Sequence, residues 1–325
     1  MPINISDLTT TTLRHRNDFV ADNITKNIAL LYLMEKNGKI KDVGGGRDLT
    51  EPLLYNELAS KFYDGFESFT IDTSQEVIDA AVYQWKQLGG FSFISGKEKL
   101  MNREAWQALS IAEQRIDALI AGLRNKTGAS LFSDGSADSG KEFGGLQLLV
   151  ADDPTTGTVG GIDAAANPFW QNQTSVGAGG FSKDTIQSEM NAMHLSLLRG
   201  ADQPDLIVAN NAPFTAYWET LQNNMRHENA EMADAGFRTL EFIGAPVVFD
   251  PQCGADLVDS GGATAGRMYF LNTKYLHFQR APERWFSTEE YRKVENADYD
   301  VIPNWTMGNL TTNARFLQGV ISNTG

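Results

Sequence analysis

Gly157-Thr158-Val159-Gly160-Gly161-Ile162-Asp163, closed by Asn167-Pro168-Phe169-Trp170, decides what kind of chain this is. Its glycines invite comparison with a phosphate-cradling loop. A P-loop needs a Lys-Ser/Thr pair after its last glycine, and a dinucleotide site needs Gly-x-Gly-x-x-Gly. Neither is present. What remains is a turn-rich loop that begins at Asp153-Pro154, inside a Gly-, Ala-, Asp- and Thr-rich tract from Ser133 to Gly180. Asp152, Asp153 and Asp163 read as ordinary loop acids, because they lack regular metal-ligand spacing.

Upstream of this tract the spacing predicts a long helix from Arg103 to Asn125. Asn102 is its N-cap, Ala105, Leu109, Ala112, Ile116, Leu119 and Leu123 form its stripe, and Gly128 is its stop. Val77 to Trp85 alternates as a strand does. Gly38 to Asp72 reads as a long β-rich excursion with Gly44-Gly45-Gly46 as its tip, since Pro52 and Gly65 exclude one long helix. Leu13 to Lys36 predicts an amphipathic helix with Val20, Ile24, Ile28, Leu31 and Met34 on one face. That face is expected to meet another subunit.

Downstream, Ile186, Met190, Met193 and Leu197 form the stripe of a second helix that starts at Ser182 and stops at Gly200. A buried strand follows at Asp205–Ala209, then a helix from Ala212 to His227. Strands are expected at Arg238–Ile243, Pro246–Phe249, Met268–Leu271 and Tyr275–Phe278. A final strand pair, Tyr299–Met307 and Asn309–Ile321, is joined by a turn at Gly308-Asn309. The class is α+β.

The chain has 325 residues, 42% hydrophobic and 21% charged, which suits a globular fold. No run approaches the roughly 20 apolar residues of a membrane span. The polar N-terminus lacks a signal-peptide core, so a cytoplasmic site of synthesis is expected. A net charge of -14, with scattered Lys and Arg, argues against nucleic-acid binding as the main task. Cys253 is the single cysteine, which excludes intramolecular disulfides. It reads as a small buried or loop residue. His15, His194, His227 and His277 are dispersed, and no serine sits in a Gly-x-Ser-x-Gly elbow. No catalytic, metal-binding or cofactor-binding residue is assigned, and the chain reads as a non-enzyme.

The order of elements, with Phe132-Ser133-Asp134-Gly135, Gly144-Gly145-Leu146, Gly157 to Asp163, Pro168-Phe169-Trp170 and the closing Asn309 to Gly319, resembles the major capsid protein of tailed bacteriophages. The resemblance covers nearly the whole chain. It implies the HK97-like capsid fold: an N-terminal arm (1–36), an extended E-loop (37–75), a peripheral domain with a long spine helix (76–143), an axial domain (144–280) and a return to the peripheral domain (281–325). It implies copies of the chain as pentamers and hexamers, closing into an icosahedral shell around double-stranded DNA that is not read by sequence. A portal protein and a decoration protein belong to that picture, and a membrane does not. The chain reaches its arm within about twenty residues of Met1, so a separate scaffolding protein is expected. The expected location is the virion, after assembly in the host cytoplasm.

A closed lattice needs several interfaces per copy, each of about 1,600 Å² in total. The arm and loop would supply that area by lying on neighbours. Arg14, Arg16, Arg47, Asp48, Lys61 and Asp64 are the candidate ion-pairing residues of those contacts. Gly144, Gly145, Gly160 and Gly161 lie near the expected crossing between domains and are the hinge candidates. An encapsulin-type nanocompartment shell shares the implied fold and is the nearest alternative. A hydrolase using Asp152 and Asp163, or a tail-tube protein, are more distant ones.

Overall fold

Two six-stranded sheets organise the chain. The computed structural model describes residues 28–58, 60, 62, 64–66, 77–101, 111–176, 181–222, 239–253, 266–290, 292–295 and 297–322. In chain order the strands are β1 (Ile40–Asp42), β2 (Leu49–Leu54), β3 (Ile78–Tyr83), β4 (Lys86–Ser95), β5 (Thr158–Val159), β6 (Ile162–Asp163), β7 (Gln173–Val176) and β8 (Leu206–Ala209). They continue with β9 (Thr239–Phe242), β10 (Ala245–Phe249), β11 (Arg267–Leu271), β12 (Leu276–Arg280), β13 (Ser287–Thr288), β14 (Arg292–Lys293), β15 (Tyr299–Thr312) and β16 (Gly319–Ser322). The main described helices are α1 (Ala29–Lys36), α2 (Gly96–Met101), α3 (Ile111–Ser130), α4 (Ile186–Leu197) and α5 (Asn211–Gln222).

The first sheet is built on β15. One edge of β15 pairs antiparallel with β4, from Tyr299↔Ser95 to Gly308↔Lys86. The other edge takes β14, β13 and β12 in turn, and β1 adds parallel to β12. The expected turn at Gly308-Asn309 is therefore a correction: β15 runs unbroken through both residues. Gly308 answers to packing. A Cβ there would lie 2.5 Å from the Gln279 carbonyl and 2.6 Å from the Phe278 ring. β4 escaped the sequence reading because Gly89-Gly90 interrupts it. The Trp305 ring lies over Gly89, and Leu119 and Leu123 of α3 lie over Gly90. Glycine in a strand here marks a close approach, not a break.

α3 runs along this sheet against β4 and β15, and its 20 residues span about 30 Å. Residues 102–110, including the expected cap and the first part of the stripe, lie outside the described residues. The C-terminal end is a correction. The helix passes through Gly128 to Ser130. A Cβ at Gly128 would lie 2.7 Å from the Ile28 side chain and would strike the Gln252 amide. Gly128 admits neighbours instead of stopping the helix.

The second sheet has the order β7-β16-β11-β8-β10-β9. Its strands are apolar on both faces because both faces are covered. Ile207, Ala209, Val247, Met268, Phe270 and Ile321 pack with the α4 stripe Ile186, Met190, Met193 and Leu197, and with Phe214 and Tyr217 of α5. Val208, Val248, Tyr269, Leu271 and Val320 face the larger core, with α1 and the segment Leu131 to Val150. The α4 stripe and the β8 run thus sit where the sequence pattern placed them. The α5 pattern continues past Gln222 into residues outside the described set. The closing strands are split: β15 serves the first sheet, and β16 is inserted between β7 and β11 of the second. The last strand does not return to the first sheet.

α1 corrects the expected arm. Ala29, Leu30, Leu31, Leu33 and Met34 are buried in this subunit's own core, not left for a neighbour. The Asp250 carboxylate, fully buried, accepts the Leu30 N–H at 3.2 Å and the Gln252 N–H at 2.9 Å. It satisfies an orphan donor of the first helical turn from 220 residues away. Burial pushes this carboxyl up to about 6. The folded value exceeds the unfolded one, so the group favours folding below the unfolded value and loses that contribution as pH rises through about 6. The melting-temperature difference between wild type and Asp250→Asn should therefore move in favour of wild type as pH falls from 8 to 5. A pH-independent difference would contradict the buried, ionised cap.

Candidate assembly surface

β2 and β3 form a separate two-stranded antiparallel hairpin that packs against β15 of the first sheet. Its cross-strand pairs run from Leu49↔Tyr83 to Leu54↔Ile78. Alternation divides it into two faces. Leu49, Glu51, Leu53, Ala81 and Tyr83 point inward and are buried. The expected glycine tip is a correction: Gly44, Gly45 and Gly46 lie between β1 and β2, at the base. There the Trp85 indole N–H donates to the Gly46 carbonyl at 3.1 Å.

The inward face is seated by polar contacts. Glu51 is 4% exposed, and its Oε1 accepts from Gln279 Nε2 at 2.6 Å and Thr311 Oγ1 at 3.0 Å. Lys41 Nζ lies 3.8 Å from the same oxygen and His277 Nδ1 3.9 Å. Burial, with the nearby Lys41 charge, lowers the His277 imidazole to about 4, so it is neutral near pH 7. The Tyr83 hydroxyl donates to the Thr312 carbonyl at 2.8 Å, and burial raises this phenol far above its ordinary value. Glu51→Ala would leave Gln279, Thr311 and Lys41 facing an empty site. The expected cost is about 1–3 kcal/mol, with faster amide exchange over residues 49–54. Unchanged exchange there would sink this account of the seat.

The stretch Gly157 to Asp163 is part of the same seat. β5 and β6 form a hairpin whose two loop residues, Gly160 and Gly161, both have positive φ (60° and 78°). The Gly160 carbonyl accepts the Val82 N–H at 2.8 Å. A Cβ on Gly160 would lie 2.9 Å from Ala81 Cβ and 3.1 Å from the Tyr83 ring. Beneath it, the Trp170 indole N–H donates to the Val159 carbonyl at 2.9 Å, and Phe169 stacks on Tyr55 at 5.4 Å. The glycine motif therefore holds a β-hairpin.

The outward face is unpartnered within the described subunit. Leu54 is 74% exposed and Ile78 70%, directly opposite one another. Val82 is also exposed, as are Leu58, Phe62 and Phe66 beyond the strands. A soluble monomer rarely presents such a contiguous apolar strip unless it is a contact surface.

The sequence-derived residues are distributed as follows. Arg14, Arg16 and Lys61 lie outside the described residues. Arg47 Nε lies 3.6 Å from the carboxylate of its chain neighbour Asp48, and both stand at the hairpin base. Asp64 accepts the Gly65 N–H at 2.9 Å in the hairpin loop. Gly144 donates its N–H to Asn309 Oδ1 at 2.9 Å. Gly145 is wedged, since a Cβ would lie 2.5 Å from the Ser133 carbonyl and also strike that of Ser130. Glu51, Gln279 and Thr311 were missed. Their one sequence signal is an acid at an inward position, in Leu49-x-Glu51-x-Leu53.

The groups weighed for chemistry have structural partners. Asp152 pairs with Arg267 at 2.7 Å. Asp153 accepts from Thr155, and Asp163 accepts the Ala165 N–H. His194 packs edge-on against Phe242, and burial lowers its imidazole. Cys253 is buried, and desolvation pushes its thiol well up. Among the described residues, no group of three or more His, Cys, Asp or Glu is placed to hold a metal ion.

No protein-family model matches the chain, and no curated protein does. Solved structures do. The chain superposes on the capsid of cyanophage A-1(L) with a TM-score of 0.69 at 16% identity, over 95% of this chain and 96% of that one. The chain has the HK97-type capsid fold. The capsid of Myoviridae phage XM1 shares it with a TM-score of 0.58 at 11% identity, over 96% and 97% of the two chains. So does the SrpI encapsulin of Synechococcus elongatus, with 0.57 at 9% identity, over 93% and 91%.

Proposed function

We propose that this chain is the structural subunit of a tailed-phage head, and that its copies close into an icosahedral shell around double-stranded DNA. One observation carries the reading: an apolar hairpin face stands exposed on a base fastened by Glu51, Tyr83 and Gly160. A rigid seat with an unsatisfied outer face suits a lattice contact. The likeness to phage capsids over nearly the full chain supports it. The work is structural, not enzymatic, and the place of work is the virion, after assembly in the host cytoplasm.

Pentamers and hexamers of the chain, a separate scaffolding protein, a portal protein and a decoration protein complete the proposal. So do the domain divisions at residues 36, 75, 143 and 280, with residues 319–322 assigned to the axial sheet. Arg47, Asp48 and Asp64 are proposed to meet neighbouring copies, together with Arg14, Arg16 and Lys61. Gly144, Gly145, Gly160 and Gly161 are proposed as the hinge glycines between the domains; a Cβ on Gly144, Gly145 or Gly160 would meet neighbouring atoms, whereas Gly161 has nothing within 4 Å.

Negative-stain microscopy of particles from infected cells, with nuclease-protected DNA measured, tests the proposal. DNA-filled icosahedra containing this chain are expected. A monodisperse monomer under every assembly condition would refute it. The SrpI likeness supports a second reading, a nanocompartment shell, which predicts particles holding protein cargo and no genome.

A further inference from the structure

After α3 the chain leaves the core and returns to it. Leu146 N donates to the Leu131 carbonyl at 2.7 Å and closes the base of this excursion. Its tip, Ala137–Gly140, buries none of its residues. Yet the tip is strained. Asp138, Ser139 and Gly140 follow one another with φ of 53°, 60° and 75°, and the Gly140 N–H donates to the Ser136 carbonyl at 3.0 Å. Left-handed backbone is costly for a residue with a Cβ, and it occurs as single residues, not as a full turn. Burial does not account for the shape, because Asp138 and Ser139 are exposed.

Charge holds the turn instead. Lys126, on α3, places Nζ 3.1 Å from an Asp138 carboxylate oxygen. Lys86, the first residue of β4, donates from Nζ to the Gly140 carbonyl. Two cations from two elements therefore pin the two ends of the strained run. The Lys126 and Asp138 side chains are 55% and 65% exposed, so salt screens the clamp, and an exposed pair contributes little. A weak restraint set against strained backbone leaves the closed form near balance. There is also room to open. A Cβ on Gly140 would meet nothing within 4 Å, and a cleft of about 500 Å³ lies beside the turn, lined in part by Gln87, Leu88, Lys126, Asp138 and Ser139.

We propose that Asp138–Gly140 is a charge-clamped latch: closed, it ties α3 to the start of β4, and when salt screens the two lysines it relaxes out of the left-handed conformation. Strain held by competing restraints is found at switch regions, where it makes two states accessible. Motion is confined to the tip, because the wedged Gly145 and the Leu146–Leu131 bond fix the base. Opening releases Lys86 and Lys126 together, so α3 loses this tie to the first sheet.

Hydrogen exchange of the full-length chain, read by mass spectrometry over residues 137–141 with residues 206–209 as a core reference, tests the latch. In wild type, exchange at the turn should quicken roughly tenfold between about 0.05 M and about 1 M salt while the reference stays slow. Lys86→Met with Lys126→Met should exchange at the fast rate in both. Ser139→Gly removes the Cβ that strains the turn, and should slow exchange about threefold or more. Wild-type exchange that ignores salt overturns the latch, and that measurement needs no variant to fold. Exchange in Ser139→Gly as fast as in wild type, or faster, also overturns it, because the turn would then store no strain.

Discussion

Gly145→Ala should leave the subunit largely unfolded, with a loss above about 4 kcal/mol, an exceptional cost for one methyl group. Added carbon at Gly145 would lie 2.5 Å from the Ser133 carbonyl and 2.6 Å from the Ser133 N, and would strike the Ser130 carbonyl as well. All three atoms belong to backbone at the end of α3, and none can rotate away. The neighbouring bonds add rigidity. Leu146 N donates to the Leu131 carbonyl at 2.7 Å, and Leu149 N to the Gly145 carbonyl at 3.1 Å. Relief would require opening the segment that buries Leu131, Phe132, Leu146 and Leu149. Urea denaturation and soluble yield measure the effect. A variant within about 1 kcal/mol of wild type would show that this junction makes room for a methyl group, and would overturn the wedge.

The second large effect is on assembly alone. Leu54→Asp with Ile78→Asp should abolish particles while leaving the monomer's melting temperature nearly unchanged. The two side chains are mostly exposed and stand opposite each other on the hairpin. Surface changes of this kind alter stability by about 0.5 kcal/mol or less. In a lattice, however, two carboxylates would enter an apolar contact. Burying an unpaired charge is far costlier, and the penalty recurs at every copy. Sedimentation of the variant beside wild type reads the outcome. Normal shells would mean that this face is not a contact. Loss of both shells and fold would mean that the face supports the monomer itself.

Much of the second sheet was legible in the sequence. The Ile186-Met190-Met193-Leu197 stripe and the Leu206-Ile207-Val208-Ala209 run predict their elements, because apolar periodicity is local and both faces of that sheet are covered. The sequence reads the loop's apolar residues as buried only on assembly; Leu54, Phe62 and Phe66 are exposed in the subunit, whereas Leu53 is buried within it. Glycine was where the reading failed. Gly128 and Gly308 read as stop and turn, and both prove to be close approaches, as do Gly89 and Gly90 in the strand that the sequence reading did not find. Glycine looks the same in sequence whether a position needs positive φ or simply has no room for a carbon.

For this protein the sequence alone determined its α+β class, its acidic surface, the apolar stripes of its second sheet and the order of elements that resembles a capsid subunit. Those are sums over neighbouring residues, and a chain carries them before it folds. Only the tertiary structure decided which glycines bend and which make room, and that α1 is held by Asp250 across 220 residues. It also decided that β16 leaves β15 for the other sheet, and that Gly157 to Asp163 forms the seat of a hairpin. Each of these depends on the atom found opposite, from a part of the chain far away in sequence, and local spacing holds no information about that atom.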